Sequence, residues 1–271
     1  MAHREEGSNG TVDRAHPGRS VRTAVVWGVL SSALDDYRRA GGRPADEGLD
    51  VVDLGGGTGG FAVPLARLGH RVTVVDPSPD ALAALARRAA EAGVSDLVRA
   101  AQGDLGTVLD EVEPGGADVV LCHGALEFAD DPVLGCRNVV GALKPGGLAS
   151  VLAANRSALV LARVLAGQVS GALAALRAKD AGPGEYGPAP RRFTEAQLRE
   201  LLTRTGLAIR SVHGVRTFSD VVPPNGETGY NQAYGSVPAG AEDLLALESL
   251  AADLPEFRAI ATQLHILAGL D

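Results

Sequence analysis

The run VVDLGGGTGG, Val51 to Gly60, limits the possible architecture more than any other part of this chain. It closes LDVVDL, an almost wholly apolar stretch of the kind that forms a strand buried on both faces of a parallel sheet. FAVPLARLG follows with helical spacing and ends at Gly69, and RVTVVD then reads as a second strand. Strand, glycine loop, helix and strand between Leu49 and Asp76 make one crossover unit of a parallel sheet. In such sheets a ligand lies beyond the carboxyl ends of the strands, so the loop after Leu54 borders the site. Its glycines let the backbone approach that ligand with no Cβ in the way.

The alternation continues. PDALAALARRAAEAG is expected to be a helix, DLVRAAQGD a third strand, ADVVLCHG a fourth, DPVLGCRNVVGALKPGG a helix closed by a Pro-Gly-Gly turn, and GLASVLAAN a fifth strand. Strands alternating with helices at this spacing call for an α/β fold with a parallel sheet covered on both faces. Upstream, VRTAVVWGVLSSALDDYRRA has the period of a helix ended by GGRP. Past Asn155 the rhythm breaks into a long Ala/Leu helix, a Gly/Pro loop at AGPGEYGPAP, and a helix in FTEAQLRELLTRTG capped by Thr194. LAIRSVHGVRTF is expected as the sixth strand, an acidic helix around AEDLLALESLAAD follows, and ATQLHILAGL supplies the seventh strand. Residues 1–20 read as a disordered tail, rich in Gly, Ser and charge. Residues 21–271 read as one domain, with its core at about 49–155 and insertions at about 156–193 and 218–258.

Composition removes several function classes. No apolar stretch reaches the roughly 18 residues a membrane span needs, and the N-terminus has no signal-peptide core, so a cytoplasmic location is expected. Two cysteines, Cys122 and Cys136, without C-x-x-C spacing, and six histidines without an H-x-x-x-H pair, lead us to expect no metal. The net charge of −8 argues against a general nucleic-acid coat, yet it is unevenly spread. Arg156 to Arg216 carries ten Lys and Arg against four Asp and Glu, a local +6, whereas Thr217 to Asp271 carries one against eight, or −7. Only the middle segment suits an anionic partner.

The charge within the glycine loop bears on the ligand. Gly55, Gly57 and Gly60 satisfy G-x-G-x-x-G, so a nicotinamide dinucleotide has to be weighed. A dinucleotide would bring two phosphates against the loop and the helix behind it, and Asp53 would repel them. S-adenosylmethionine carries no phosphate and offers a sulfonium and an ammonium, which an anionic Asp53 favours. Asp76 ends the second strand 19 residues past Gly57, where a carboxylate can accept both ribose hydroxyls; this suits either ligand. Gln102 and Asp104, at the end of the third strand, can read an adenine edge, and Asp104 can equally cap DLGTVLDE.

From about Leu49 to Gly147 the chain resembles the class I S-adenosylmethionine-dependent methyltransferases, with VVDLGGGTGG, VVDPSP, AQGD, ADVVLCHGALEF and LKPGG in that family's order. The resemblance implies S-adenosylmethionine as cofactor, a seven-stranded Rossmann-like sheet, an N-terminal lid helix and helical insertions. VRTAVVWGVL, HGALEFADDP, GVRTFSD and QLHILAG further resemble the bacterial tRNA 5-carboxymethoxyuridine methyltransferase family, whose members esterify the carboxylate of a modified wobble uridine. This second resemblance covers nearly the whole chain from about residue 20. It implies Arg22, Gly55, Gly56, Asp76, Gln102, Gly103 and His123 around the cofactor, with Arg22 over the methionine carboxylate and His123 lining the transfer site.

Methyl transfer to a carboxylate, ionised at neutral pH, needs no general base, and the sequence shows no constellation of that kind. Such an acceptor does need a guanidinium to orient it, and Arg191 and Arg216 are the candidates. Where that family has a lysine-rich stretch this chain has AKDAGPGEYGPAP, and Thr262 stands where a basic residue is expected. The acceptor is therefore expected to be a carboxylate, in tRNA or in a small metabolite, and a cofactor-binding module without turnover is a third reading.

Overall fold

The computed structural model describes residues 21–44, 46–177, 190–222 and 240–271. The expected disordered tail and most of the two expected loops, at AGPGEYGPAP and after Val222, lie outside the described residues. In chain order the elements are α1 Val21–Ala40, β1 Asp50–Leu54, α2 Ala62–Arg67, β2 Arg71–Asp76, α3 Pro79–Glu91, β3 Val98–Gln102, α4 Val108–Glu111, β4 Ala117–His123, α5 Pro132–Ala142 and β5 Leu143–Ala154. They continue with α6 Arg156–Leu165, α7 Val169–Arg177, α8 Glu195–Arg204, β6 Leu207–Val215, α9 Ala241–Ala251, α10 Pro255–Arg258 and β7 Gln263–Leu270.

The seven strands form one sheet in the order β3-β2-β1-β4-β5-β7-β6. The expectation of a parallel sheet holds from β3 to β5 and fails at the last strand, because β7 runs antiparallel to both β5 and β6. After β6 the helices α9 and α10 bring the chain back to the same end of the sheet, where Ala252 packs with Val215, so it enters β7 at the end where β5 and β6 leave. The sheet is therefore mixed. Three further boundaries differ from expectation. Leu143 already pairs with Ala117, so Lys144-Pro145-Gly146-Gly147 lies within an irregular start of β5. The long Ala/Leu helix breaks at Gly167, whose φ is +72°, into the hairpin α6–α7. The sixth strand ends at Val215, before Arg216.

Alternation along each strand sorts the core. Val51, Val72, Val74, Val119, Leu121 and Leu148 face α1, α2 and α3, while Val52, Leu54, Val75, Val120, Val151 and Ile266 face α5 and α8. At the amino end of the sheet, buried Asp118 accepts from Tyr37 Oη at 3.2 Å and the Asp50 amide at 2.9 Å, and pairs with Arg43 and Lys144 at 3.0 Å. These bonds tie the C-terminal part of α1 and the residues after it to one end of the sheet. Its N-terminal half is thereby laid over the opposite end, where Val25 and Val26 pack with Leu152, Val215 and Ala252. α8 opens with the expected Thr194 cap, and Gln197 completes it as a capping box by accepting from the Thr194 amide.

Candidate active site

The glycine loop connects the carboxyl end of β1 to α2. Gly55, Gly57 and Gly59 have φ of +69°, +53° and +81°, a region that side chains rarely enter. A Cβ on Gly55 would meet that of Ala125 at 2.8 Å, and one on Gly56 would stand 2.5 Å from the Asp53 carboxylate. Arg88 of α3 pins the loop from outside by donating to the Thr58 carbonyl and hydroxyl at 2.9 and 3.0 Å.

Two carboxylates underlie this loop. Asp76 accepts from the Gly57 amide through Oδ2 and from the Ser78 amide through Oδ1, both at 2.9 Å, so it shapes the loop and keeps further lone pairs for a ligand. Asp53 is 2% exposed. Burial first, and the charge of Asp76 second, push its pKa up to about 7, and no hydrogen bond counts against them. A buried acid beside a second carboxylate is a place for a cation and a poor one for a pyrophosphate. That observation fits S-adenosylmethionine, whose bound form offers two positive centres, and it rests on the residue the sequence singled out.

The remaining expected residues are placed as follows. Gly103 donates to the Asp76 carbonyl at 3.3 Å, and a Cβ there would crowd Thr107 and Val75 at 3.1 Å. Gln102 is exposed and its amide reaches the Pro77 carbonyl at 3.4 Å. Asp104 closes its own turn, accepting from the Gly106 and Thr107 amides at 2.8 and 3.0 Å, which agrees with the capping alternative and occupies one oxygen. Arg22 is the second residue of α1, and its side chain lies outside the described residues. His123 ends β4, with Phe61 edge-on to its ring at 4.8 Å and Trp27 beyond. Burial lowers its pKa to about 4, so the imidazole is neutral at pH 7.

The two expected acceptor arginines differ from each other. Arg191 gives its guanidinium to the carbonyls of Ala129 and Asp130, and its backbone amide to the Glu127 carbonyl. Its side chain braces the loop after β4. Arg216 has φ of +59°, unusual for a side chain, and pairs with Asp220 at 2.7 Å while its Nε stays buried without a partner. Arg192 escaped the sequence reading. Residues 191–193 run alongside the end of β5 through the Asn155–Phe193 bridge, and Arg192 is partly buried there beside Glu127 and Arg163. Desolvation pushes the Arg192 pKa down while the Glu127 charge holds it up. Glu127, 6% exposed, accepts the Ala154 amide at 2.8 Å and leaves its other oxygen unpartnered. The pair PRR in the sequence could not show which arginine turns inward, because that depends on the register of the bridge.

With this geometry in view, the comparisons are specific. A family model described as a methyltransferase domain matches residues 52–149. The tRNA 5-carboxymethoxyuridine methyltransferase of Escherichia coli (strain K12) is 30% identical over 207 residues, covering 74% of this chain and 72% of that protein. The chain belongs to the class I S-adenosylmethionine-dependent methyltransferases. A ubiquinone biosynthesis O-methyltransferase of Caulobacter sp. (strain K31) is 38% identical over 139 residues, half of this chain and 54% of that protein. A crystal structure of an S-adenosylmethionine-dependent methyltransferase from Mesorhizobium loti shares the fold, with a TM-score of 0.56 over 92% of this chain at 18% identity. The methyltransferase uses S-adenosylmethionine, which supplies an electrophilic methyl group on a sulfonium, and the nicotinamide reading is set aside. Among the described residues no cluster of metal ligands exists and no helix is long and apolar enough to cross a membrane.

Proposed function

We propose that this methyltransferase esterifies a carboxylate, that of 5-carboxymethoxyuridine at the wobble position of tRNA. The observation that carries the reading is extent along this chain: similarity to the tRNA enzyme covers 74% of it, whereas three ubiquinone relatives that are 31–38% identical cover 50–60%. The chemistry agrees. A carboxylate acceptor surrenders no proton, and His123, whose pKa burial lowers to about 4, is a weak base for taking one. Arg22, Asp53, Gly55, Gly56, Gly57, Asp76, Gln102, Gly103 and Asp104 then form the cofactor side. Segments 156–193 and 218–258, with Arg216 between them, form the acceptor side, where Arg216 and Arg192 orient the anion and Arg191 holds the loop that carries Glu127. A tRNA acceptor also fits the local +6 between Arg156 and Arg216, and a cytoplasmic location. A small hydroxylated or carboxylic metabolite is the second reading, favoured by the 38% identity to the ubiquinone enzyme in the core.

Mass spectrometry of tRNA nucleosides from a strain lacking the gene tests the proposal. The expected result is loss of a wobble-uridine methyl ester with gain of the free carboxylate. An unchanged profile would move the assignment to the small-molecule acceptor. Arg216→Ala is expected to leave S-adenosylmethionine affinity within about twofold and to raise the acceptor KM by about 10-fold or more, the worth of a charge-assisted hydrogen bond. Equal loss of both affinities would remove Arg216 from the acceptor side.

A further inference from the structure

A row of polar side chains crosses the face of the sheet under α1 and α9, among Leu121, Leu148 and Leu267: His123 on β4, Ser150 on β5, His265 on β7 and His213 on β6. Ser150 and His265 are fully buried. Ser150 Oγ lies 2.8 Å from Nε2 of His123 and 2.8 Å from Nε2 of His265. The Nδ1 atoms of both imidazoles are buried and unpartnered. His213 stacks on His265 at 5.8 Å, but its own ring nitrogens meet Asp253 and Ser211 at 2.5 and 2.9 Å. No hydrogen bond joins the two stacked rings.

A hydroxyl has one proton, so Ser150 donates to one histidine and accepts from the other. Exactly one of the two Nδ1 atoms therefore carries a hydrogen. A proton relay through the chain is excluded by its inner end, because His265 Nδ1 has nowhere to pass a proton. Burial also drives both imidazoles to the neutral form, and His265 is further opposed by its histidine neighbours. The chain is a static, uncharged brace.

We infer that the bonds run from His265 Nε2–H to Ser150 Oγ and from Ser150 Oγ–H to His123 Nε2, which makes His123 an Nδ1–H donor for an anionic oxygen, a ligand carboxylate, at the carboxyl end of β4. The order follows from where the orphan hydrogen is tolerable. An unpaired buried N–H is rarer and costlier than an unpaired lone pair. Both Nδ1 atoms are covered, but His265 has 0% exposure on β7 between β5 and β6, whereas the His123 ring is partly exposed where β4 ends beside Phe61, so a side-chain shift can uncover only the Nδ1 of His123. Ser150 and His265 are thus positioning residues that set the tautomer of His123 from one and two strands away. The ligand half of this inference rests on the reading that His123 borders the bound cofactor or acceptor.

Long-range proton–nitrogen correlation spectra of the wild-type protein labelled with nitrogen-15 histidine, with His123 assigned through His123→Asn, read the tautomers directly. Expected is Nδ1–H on His123 and Nε2–H on His265 at pH 7; the opposite pair overturns the inference without any folding question. In binding and kinetics, Ser150→Ala and His265→Asn should release His123 to the Nε2–H form and weaken cofactor affinity or acceptor KM by about 10-fold. His265→Gln, whose amide nitrogen reaches where Nε2 stood, should stay within about threefold of wild type. Equal effects of Gln and Asn would reduce His265 to a packing role and overturn its positioning one. If His123→Asn changes neither cofactor Kd nor acceptor KM while the spectra show the expected tautomers, the placement of His123 at the ligand is what fails.

Discussion

Glu248→Ala should cost the folded protein about 3 to 6 kcal/mol, a large part of the total stability of a typical domain. Glu248 of α9 has 0% exposure, and its carboxylate accepts from the backbone amides of Thr217, Phe218 and Ser219 at 2.9, 3.0 and 2.7 Å. Three successive N–H groups converging on one anion form a nest, and here the anion comes from the chain itself. Alanine would leave three donors, one buried and two partly buried, without a partner at about 1 to 3 kcal/mol each, although water admitted to the gap would recover some of that. Thermal melting should show a fall of roughly 10 °C or more. A fall equivalent to less than about 1 kcal/mol would show that the loop finds other acceptors. The consequence reaches the acceptor side, since Arg216 immediately precedes the nest and holds its left-handed backbone at φ +59°. Glu248→Ala should therefore raise the acceptor KM as Arg216→Ala does, and Glu248→Gln should recover part of the stability, because one amide oxygen can still accept.

The ratio of S-adenosylmethionine affinity in the wild-type enzyme to that in Asp53→Asn should rise about 10-fold between pH 6 and pH 8. In the free protein the Asp53 pKa is raised from 3.8 to about 7 by burial and by Asp76. A bound cation would favour the ionised form and draw that pKa down. At pH 6 most of the free protein must then lose a proton to bind, whereas at pH 8 almost none must, so affinity rises with pH and levels off above the free-protein value. The ammonium of the ligand titrates identically with both proteins and cancels in the comparison. Folding carries the opposite sign. A carboxyl whose folded pKa lies above its unfolded one favours the fold at low pH and loses that contribution as pH climbs from about 4 through about 7. Asp53→Asn should accordingly melt higher than wild type at pH 8 without ligand, with the gap closing toward pH 4. Isothermal titration in two buffers of different ionisation heat measures the released proton; a ratio that stays constant across this range would mean that no cation approaches Asp53.

Much of this was present in the one-dimensional pattern. The loop from Leu54 to Gly60, its two flanking strands and Asp76 follow from local rules: apolar runs, glycines where φ turns positive, and a fixed interval to the next strand end. The same holds for Thr194 and Gln197, whose cap is a contact within one turn. Asp53 was legible as a charge beside the loop, but its raised pKa was not, because desolvation depends on what covers it. The acceptor side was less accessible. Arg191 and Arg192 are neighbours in sequence, and only the bridge from Asn155 to Phe193 turns the first toward Ala129 and the second toward Glu127. The antiparallel seventh strand decided still more. It sets His265 opposite His213 and one strand from Ser150, joining residues separated by 115 positions in one hydrogen-bond chain. By itself the sequence determined the cofactor loop and the type of fold, since both depend on neighbours a few residues apart. Tertiary structure alone decided which arginines turn inward, which carboxylate is desolvated and which histidines meet the same serine hydroxyl, because burial and strand register belong to segments that meet only when the sheet closes.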